Sequence, residues 1–100
     1  MNQVNKTPAW MTLSVDSVTL KLTKPVEMNG VVSDKISLRS PTVRDVRAAQ
    51  AVAAGDDEQR ELNLFASLAE IGVKDLECLV LKDYNRLQAG YFRLVQDDEL

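Results

Sequence analysis

The sequence predicts an α+β fold, an N-terminal β-hairpin followed by a small cluster of three to four α-helices. Three observations predict it. Between Ser17 and Arg39, apolar and polar residues alternate on either side of an Asn29-Gly30 step, the pattern of two strands joined by a tight turn. After Pro41 the apolar spacing lengthens to that of helices, with Gly55 and Gly72 as punctuation. The chain has 100 residues, 45% of them hydrophobic and 27% charged, which is enough for one buried core and too few for two.

Residues 1–16 carry no sustained period, and Trp10 and Met11 are isolated apolar side chains near Pro8. They read as a flexible N-terminal arm, the alternative being that Trp10 docks on the body. A single domain is expected over 17–96, with the hairpin at 17–39 and the helices at 42–96. In the first strand Val18, Leu20 and Leu22 share one face and Thr19, Lys21 and Thr23 the other. Pro25 cannot donate to a ladder and marks the strand's end or an edge position. Asn29-Gly30 supplies the two positive φ values that a type I′ turn prefers. The second strand, Val31–Arg39, keeps Val32, Asp34, Ile36 and Leu38 in phase. Asp34 interrupts that apolar face, so either it lies beyond the covered part of the sheet or a bulge shifts the register there.

Ser40-Pro41-Thr42 stops the strand, and Thr42 with Asp45 three residues on forms a capping box with Asp in place of the usual Glu or Gln. A first helix then runs to about Ala54, closed by Gly55, with an alanine-rich second half that allows another backbone to come close. Asp56 or Asp57 opens a second helix that Gly72 ends, with Val73 touching Leu68 as in a Schellman cap. At 100° per residue its apolar arc covers about 220°, so it must be covered on two sides. A short turn over Lys74–Leu79 leads to a final helix over Lys82–Gln96, whose Tyr84, Leu87, Tyr91, Phe92, Leu94 and Val95 spread over about 160°. Either each helix packs against two others, or part of each arc serves an intermolecular contact. Periodicity is compatible with both.

Several chemistries are excluded by what is missing. There is no histidine, so Ser-His-Asp and Cys-His nucleophile activation and imidazole metal sites are closed. The four glycines stand at least 17 positions apart, which leaves no dinucleotide fingerprint and no phosphate-cradling loop. Cys78, the one cysteine, lies in an apolar setting without a neighbouring base and reads as a packing thiol. One cysteine permits no internal disulfide, which fits a cytosolic, soluble protein. Asp56-Asp57-Glu58 reads as a helix N-terminus, and Asp97-Asp98-Glu99 within 97–100 as an acidic tail. No cofactor, metal, catalytic group or membrane span is expected.

Charge is unevenly placed. Residues 1–47 hold seven basic and four acidic groups, net +3, and residues 48–100 hold five and eleven, net −6. Arg39, Arg44 and Arg47 make a small basic face without aromatic interleaving, so nucleic-acid binding is not expected. The polarity suits pairing between copies or docking on a charged partner, but solvated faces are the commoner cause of such a pattern.

The order of signals is specific: Val18-Thr19-Leu20, Lys24-Pro25-Val26, Asn29-Gly30, Ile36-Ser37-Leu38-Arg39, Pro41-Thr42-Val43-Arg44-Asp45, then Asp83-Tyr84 and Leu87-Gln88 in the closing helix. This order resembles the small tail assembly chaperones of contractile-tailed bacteriophages and Mu-like prophages, over roughly residues 17–95. The resemblance implies a non-catalytic protein of the bacterial host's cytoplasm that holds the long, helix-rich tape measure protein soluble and helps tail-tube subunits assemble around it. Its arm is longer than the pattern requires, and its end at Leu100 corresponds to the shorter of the two forms that frameshifting produces in such families. The alternative is a structural or adaptor component of the tail or baseplate retained in the virion. On the chaperone reading, the partner-binding candidates are Leu64, Leu68, Tyr91 and Phe92. Ala48, Ala49, Val52 and Ala53 form the candidate self-association surface of a homo-oligomer.

Overall fold

The computed structural model describes residues 7–96. Strand β2 (Ser17–Met28) and strand β3 (Val31–Arg39) pair antiparallel around Asn29 and Gly30, whose φ values of +54° and +80° are those of the expected hairpin turn. A third strand, β1 (Met11–Leu13), adds to β2 on the other side, giving the order β1-β2-β3. The flexible arm expected over 1–16 is therefore corrected for this stretch. Met11 faces Leu20 and enters the core at 7% exposure, and Lys21 N–H donates to the Trp10 carbonyl at 2.9 Å. Trp10 packs on the core with the Arg86 guanidinium 4.8 Å from its ring centre. Three strand residues are too few to establish an alternation, so pairing on β2 is what makes this strand. Residues 1–6 and the tail expected at 97–100 lie outside the described residues.

Val18, Leu20, Leu22, Ile36 and Leu38 are all buried on one face of the sheet. The opposite face carries Thr19, Lys21, Lys35 and Ser37, with Thr19 Oγ1 and Ser37 Oγ 2.7 Å apart. Between the pairs Lys21↔Lys35 and Val26↔Ser33, residues 22–25 of β2 stand against Asp34 alone. The bulge that Asp34 allowed for is thus present, and Pro25 sits within it, where no ladder donor is needed. Beyond the bulge the phase of β3 flips, so Val32, expected in line with Ile36, is 69% exposed.

The bulge is held from outside the sheet. Asp83 Oδ1 accepts the Thr23 N–H at 2.9 Å and the Thr23 hydroxyl at 3.0 Å, and Oδ2 accepts the Lys24 N–H at 3.2 Å. Asp83 is fully buried and belongs to the first turn of the last helix, α4 (Leu81–Leu94). Further along α4, Gly90 meets the sheet so closely that a Cβ there would lie 2.6 and 2.8 Å from the two Leu20 methyl carbons. Leu20 is itself fully buried, so its methyl groups must shift within the packed core to make room. Gly90→Ala should therefore lose stability despite the gain in helix propensity of about 1 kcal/mol. Overpacking of about 1–3 kcal/mol outweighs that gain, so urea unfolding should show a net loss near 1 kcal/mol. A stabilised variant would mean that Leu20 yields.

Helix α1 (Val43–Ala53) starts at the expected capping box: Asp45 N–H donates to Thr42 Oγ1, and Thr42 N–H to Asp45 Oδ2. Arg39 grips the same carboxylate through two nitrogens at 2.8 and 3.1 Å, joining the end of β3 to α1. The Arg39 hydrogen bond, helped by the Thr42 N–H, holds Asp45 well below its ordinary value of 3.8. A depressed carboxyl contributes stability that is present above the unfolded value and lost as pH falls through the folded one. Asp45→Asn should be less stable than the parent at pH 7, and the difference should close as pH drops below 3.8; a difference that persists in acid would refute this.

Helix α2 (Asp57–Ala69) is opened by Asp56, whose carboxylate accepts the Gln59 N–H at 3.1 Å. It ends earlier than expected. Glu70, not Gly72, takes the left-handed position at φ +59°, with Ile71 N–H on the Ala66 carbonyl and Glu70 N–H on the Ser67 carbonyl. Gly72 instead starts the short α3 (Val73–Glu77), where Asp75 Oδ2 accepts its N–H. The Asn29 side chain donates to the Glu70 carbonyl at 3.0 Å, tying the hairpin turn to this corner. A tertiary contact thus places the break where no glycine stands.

In the assembled layers α4 lies on β2 and β1, α2 lies on β3, and α1 packs on α2. The wide apolar arc of α2 is consumed by these neighbours, with Leu64, Phe65, Ala66 and Leu68 all buried.

Candidate functional site

Helix α4 buries Asp83, Leu87 and Gly90 and half-buries Tyr84, Tyr91 and Leu94 against the core. Its other face has no such cover. Leu81 is 72% exposed, Phe92 65% and Val95 47%, and at 100° per residue these three fall within an arc of about 60°. Asn85 and Gln88, also exposed, lie between them. Between α2 and α4, Leu62, Leu81 and Tyr84 line an open groove rimmed by Glu58 and Glu61.

The groove has a fixed wall. Tyr84 O–H donates to Glu61 Oε1 at 2.7 Å and Gln88 Nε2 donates to the same oxygen at 2.9 Å. Burial first, and the bond to Glu61 second, push the Tyr84 phenol above its usual range, so the hydroxyl remains a donor. Phe65 packs against both Tyr84 and Tyr91 with tilted rings, the ring centres 5.9 and 5.2 Å away. This aromatic cluster orients α4 and presents its outer stripe on a rigid base.

The sequence-derived site residues divide. Phe92 stands in the open stripe, and Tyr91 is half-buried against Phe65. Leu64 and Leu68 are corrected: at 6% and 2% exposure they belong to the core, because α1 and the sheet cover both sides of α2. On α1, Ala48 and Val52 are exposed, whereas Ala49 and Ala53, each at 6%, are buried, so the expected self-association surface is not one face. Cys78 is exposed rather than packed. Leu81 lies just outside the Lys82–Gln96 span that periodicity predicts for the last helix, whereas α4 begins with it. Its signal was position: it is one turn before Tyr84 and in line with Gln88 and Phe92.

Among the described residues no group of three or more His, Cys, Asp or Glu side chains comes together to hold a metal, and no helix is long and apolar enough to cross a membrane. The surface offers contacts to other chains. A family model described as phage tail assembly chaperone proteins, E, or 41 or 14, matches residues 19–96. The chain belongs to this family. No curated protein and no solved structure matches it. The matched span takes in most of β2, all of β3 and the four helices, and leaves β1 outside. As a tail assembly chaperone the protein serves the building of a phage tail and works through protein partners. The α4 stripe and the α2–α4 groove are the chaperone's candidate contact surfaces.

Proposed function

We propose that this chaperone binds the tape measure protein in the host cytoplasm through the exposed stripe of α4, keeps it soluble, and releases it as tail-tube subunits assemble around it. The reading is supported by Leu81, Phe92 and Val95 standing uncovered on one face of a helix anchored by an aromatic cluster. Three large apolar groups aligned on a helix suit an amphipathic helix as partner, which would lay its own apolar stripe on theirs. The acidic rim and the net charge of −3 keep the chaperone itself soluble while the stripe is open. Tyr91 would border the contact, and Phe92 would be its centre.

Co-expression with the tape measure protein of the same phage tests this. The tape measure protein should be soluble and co-purify with the chaperone, and should aggregate without it. The chaperone should also be missing from finished particles. Stoichiometric retention in purified virions would overturn the reading in favour of a structural or adaptor component of the tail.

A further inference from the structure

We propose that β1 is a detachable strap, and that the edge of β2 beneath it is an acceptor site for an extended segment of a partner protein. The strap is held at few points. Its ladder is bounded by Lys21 N–H on the Trp10 carbonyl and Ser14 N–H on the Ser17 carbonyl, both at 2.9 Å, whereas the β2–β3 ladder runs from Ser17↔Arg39 to Met28↔Val31. Met11 alone of the strap residues is fully inside the core. Trp10 is half-buried and clasped from α4: the Arg86 guanidinium lies over its ring at 4.8 Å while Nη1 donates to the Lys21 carbonyl at 2.7 Å, closing the end of the ladder. Strands β2 and β3 and the helices pack on one another without β1, which also lies outside the part of the chain that the family model matches. The strap can therefore leave a body that stays assembled.

What the strap leaves behind defines the occupant. The outer edge of β2 is a row of backbone donors and acceptors that a strand satisfies; a helix, whose backbone groups are bonded internally, does not. Beside this edge are the hollow of Met11, opposite Leu20, and the place of Trp10 under Arg86. A segment that reads aromatic, apolar, polar, apolar, as Trp10-Met11-Thr12-Leu13 does, fills all three at once. This is strand addition at a sheet edge, in which backbone bonds give affinity and alternate side chains give selection. A bare edge also invites unspecific pairing, so the chain's own segment covers it until a matching segment takes its place. At 100° per residue Arg86 stands about 140° around α4 from Leu81, so the acceptor edge and the open stripe of α4 look to different sides. The inference stands apart from the tape measure reading and is tested without that partner.

Amide exchange on the intact chain is the first test. The Lys21 amide should exchange about tenfold or more faster than the amides of the β2–β3 ladder, through an opening that leaves the rest of the domain protected. Thr12→Cys/Thr19→Cys, two positions directly opposite in the ladder, made together with Cys78→Ser, should slow that exchange when oxidised and restore it when reduced. The second test uses Trp10→Ala/Met11→Ser, a full-length chain with its strap disabled and its single tryptophan removed, and a peptide of residues 7–14, whose tryptophan is then the only one in the sample. Circular dichroism should show the variant folded. The peptide's emission should shift to the blue and saturate on titration, and a peptide with Asp in the Met11 position should do neither. Lys21 exchange as slow as that of the β2–β3 ladder, or unchanged by the disulfide, overturns the proposal. So does unfolding of the disabled variant, or a peptide that gives no saturable signal. Sedimentation showing that the disabled variant pairs with itself at the bared edge also overturns it, by assigning that edge to a second copy.

Discussion

Asp83→Ala should cost about 3 kcal/mol of folding stability, the largest effect expected of any single side chain outside the apolar core. The carboxylate is fully buried and accepts three donors, two of them backbone N–H groups of the β2 bulge. Truncation loses all three bonds at once and leaves donors that are part-buried against α4 without their acceptor. It also removes a negative charge from the first turn of α4, where the helix dipole favours one. Asp83→Asn should be intermediate. Its oxygen can keep the two Thr23 bonds, but its amide nitrogen then meets the Lys24 N–H, a donor against a donor. Urea unfolding measures the loss, and amide exchange locates it: the Thr23 and Lys24 amides should exchange much faster in the alanine variant. Unchanged unfolding in both variants would show that the bulge does not depend on this carboxylate. For a domain of this size, whose total stability is of order 5–15 kcal/mol, such a loss removes roughly a fifth to over half of the margin.

Phe92→Asp should weaken binding of the tape measure protein by about 10- to 100-fold, equivalent to roughly 1.4–2.8 kcal/mol, while leaving the chaperone folded. At 65% exposure the ring contributes little to the core, so its loss is felt only where another chain covers it. An aromatic anchor at the centre of an apolar contact is the residue type whose removal is most costly, and a carboxylate there must also be desolvated. Leu68→Ala provides the contrast. Leu68 is 2% exposed, so this change should lower stability by about 2–5 kcal/mol through its cavity and affect binding only through unfolding. Binding titrations together with circular dichroism separate the two. If Phe92→Asp binds like the parent, the α4 stripe is not the contact. If it unfolds, Phe92 has a structural role that its exposure does not suggest.

The elements that were legible in the sequence are those written in local spacing. Val18, Leu20 and Leu22 alternate because one face of β2 is buried, Asn29-Gly30 carries the two positive φ values, and Thr42 with Asp45 closes its box within a single turn. The strand, the corner, the buried carboxylate and the close helix–sheet approach that escaped each depend on a distant residue. Met11–Leu13 becomes a strand only by pairing with residues 18–20, and Glu70 accepts a left-handed backbone at a corner bound by Asn29. Asp83 reads as an ordinary solvated helix start until Thr23 and Lys24, some 60 positions earlier, come to meet it. Gly90 reads as a weak point in a helix until Leu20 is placed against it.

The candidate site divides along the same line. By itself the sequence determined the family-like order of elements, the lack of histidine chemistry, the charge asymmetry, and that two helices carry more apolar surface than a surface helix needs. Only the tertiary structure decided that α2 spends its surplus on α1 and the sheet, taking Leu64 and Leu68 inside, while α4 leaves Leu81, Phe92 and Val95 uncovered. The reason is that periodicity counts how much of a helix is apolar. Which part of that arc stays wet depends on where the neighbouring elements run out, and that is a property of the packed chain as a whole.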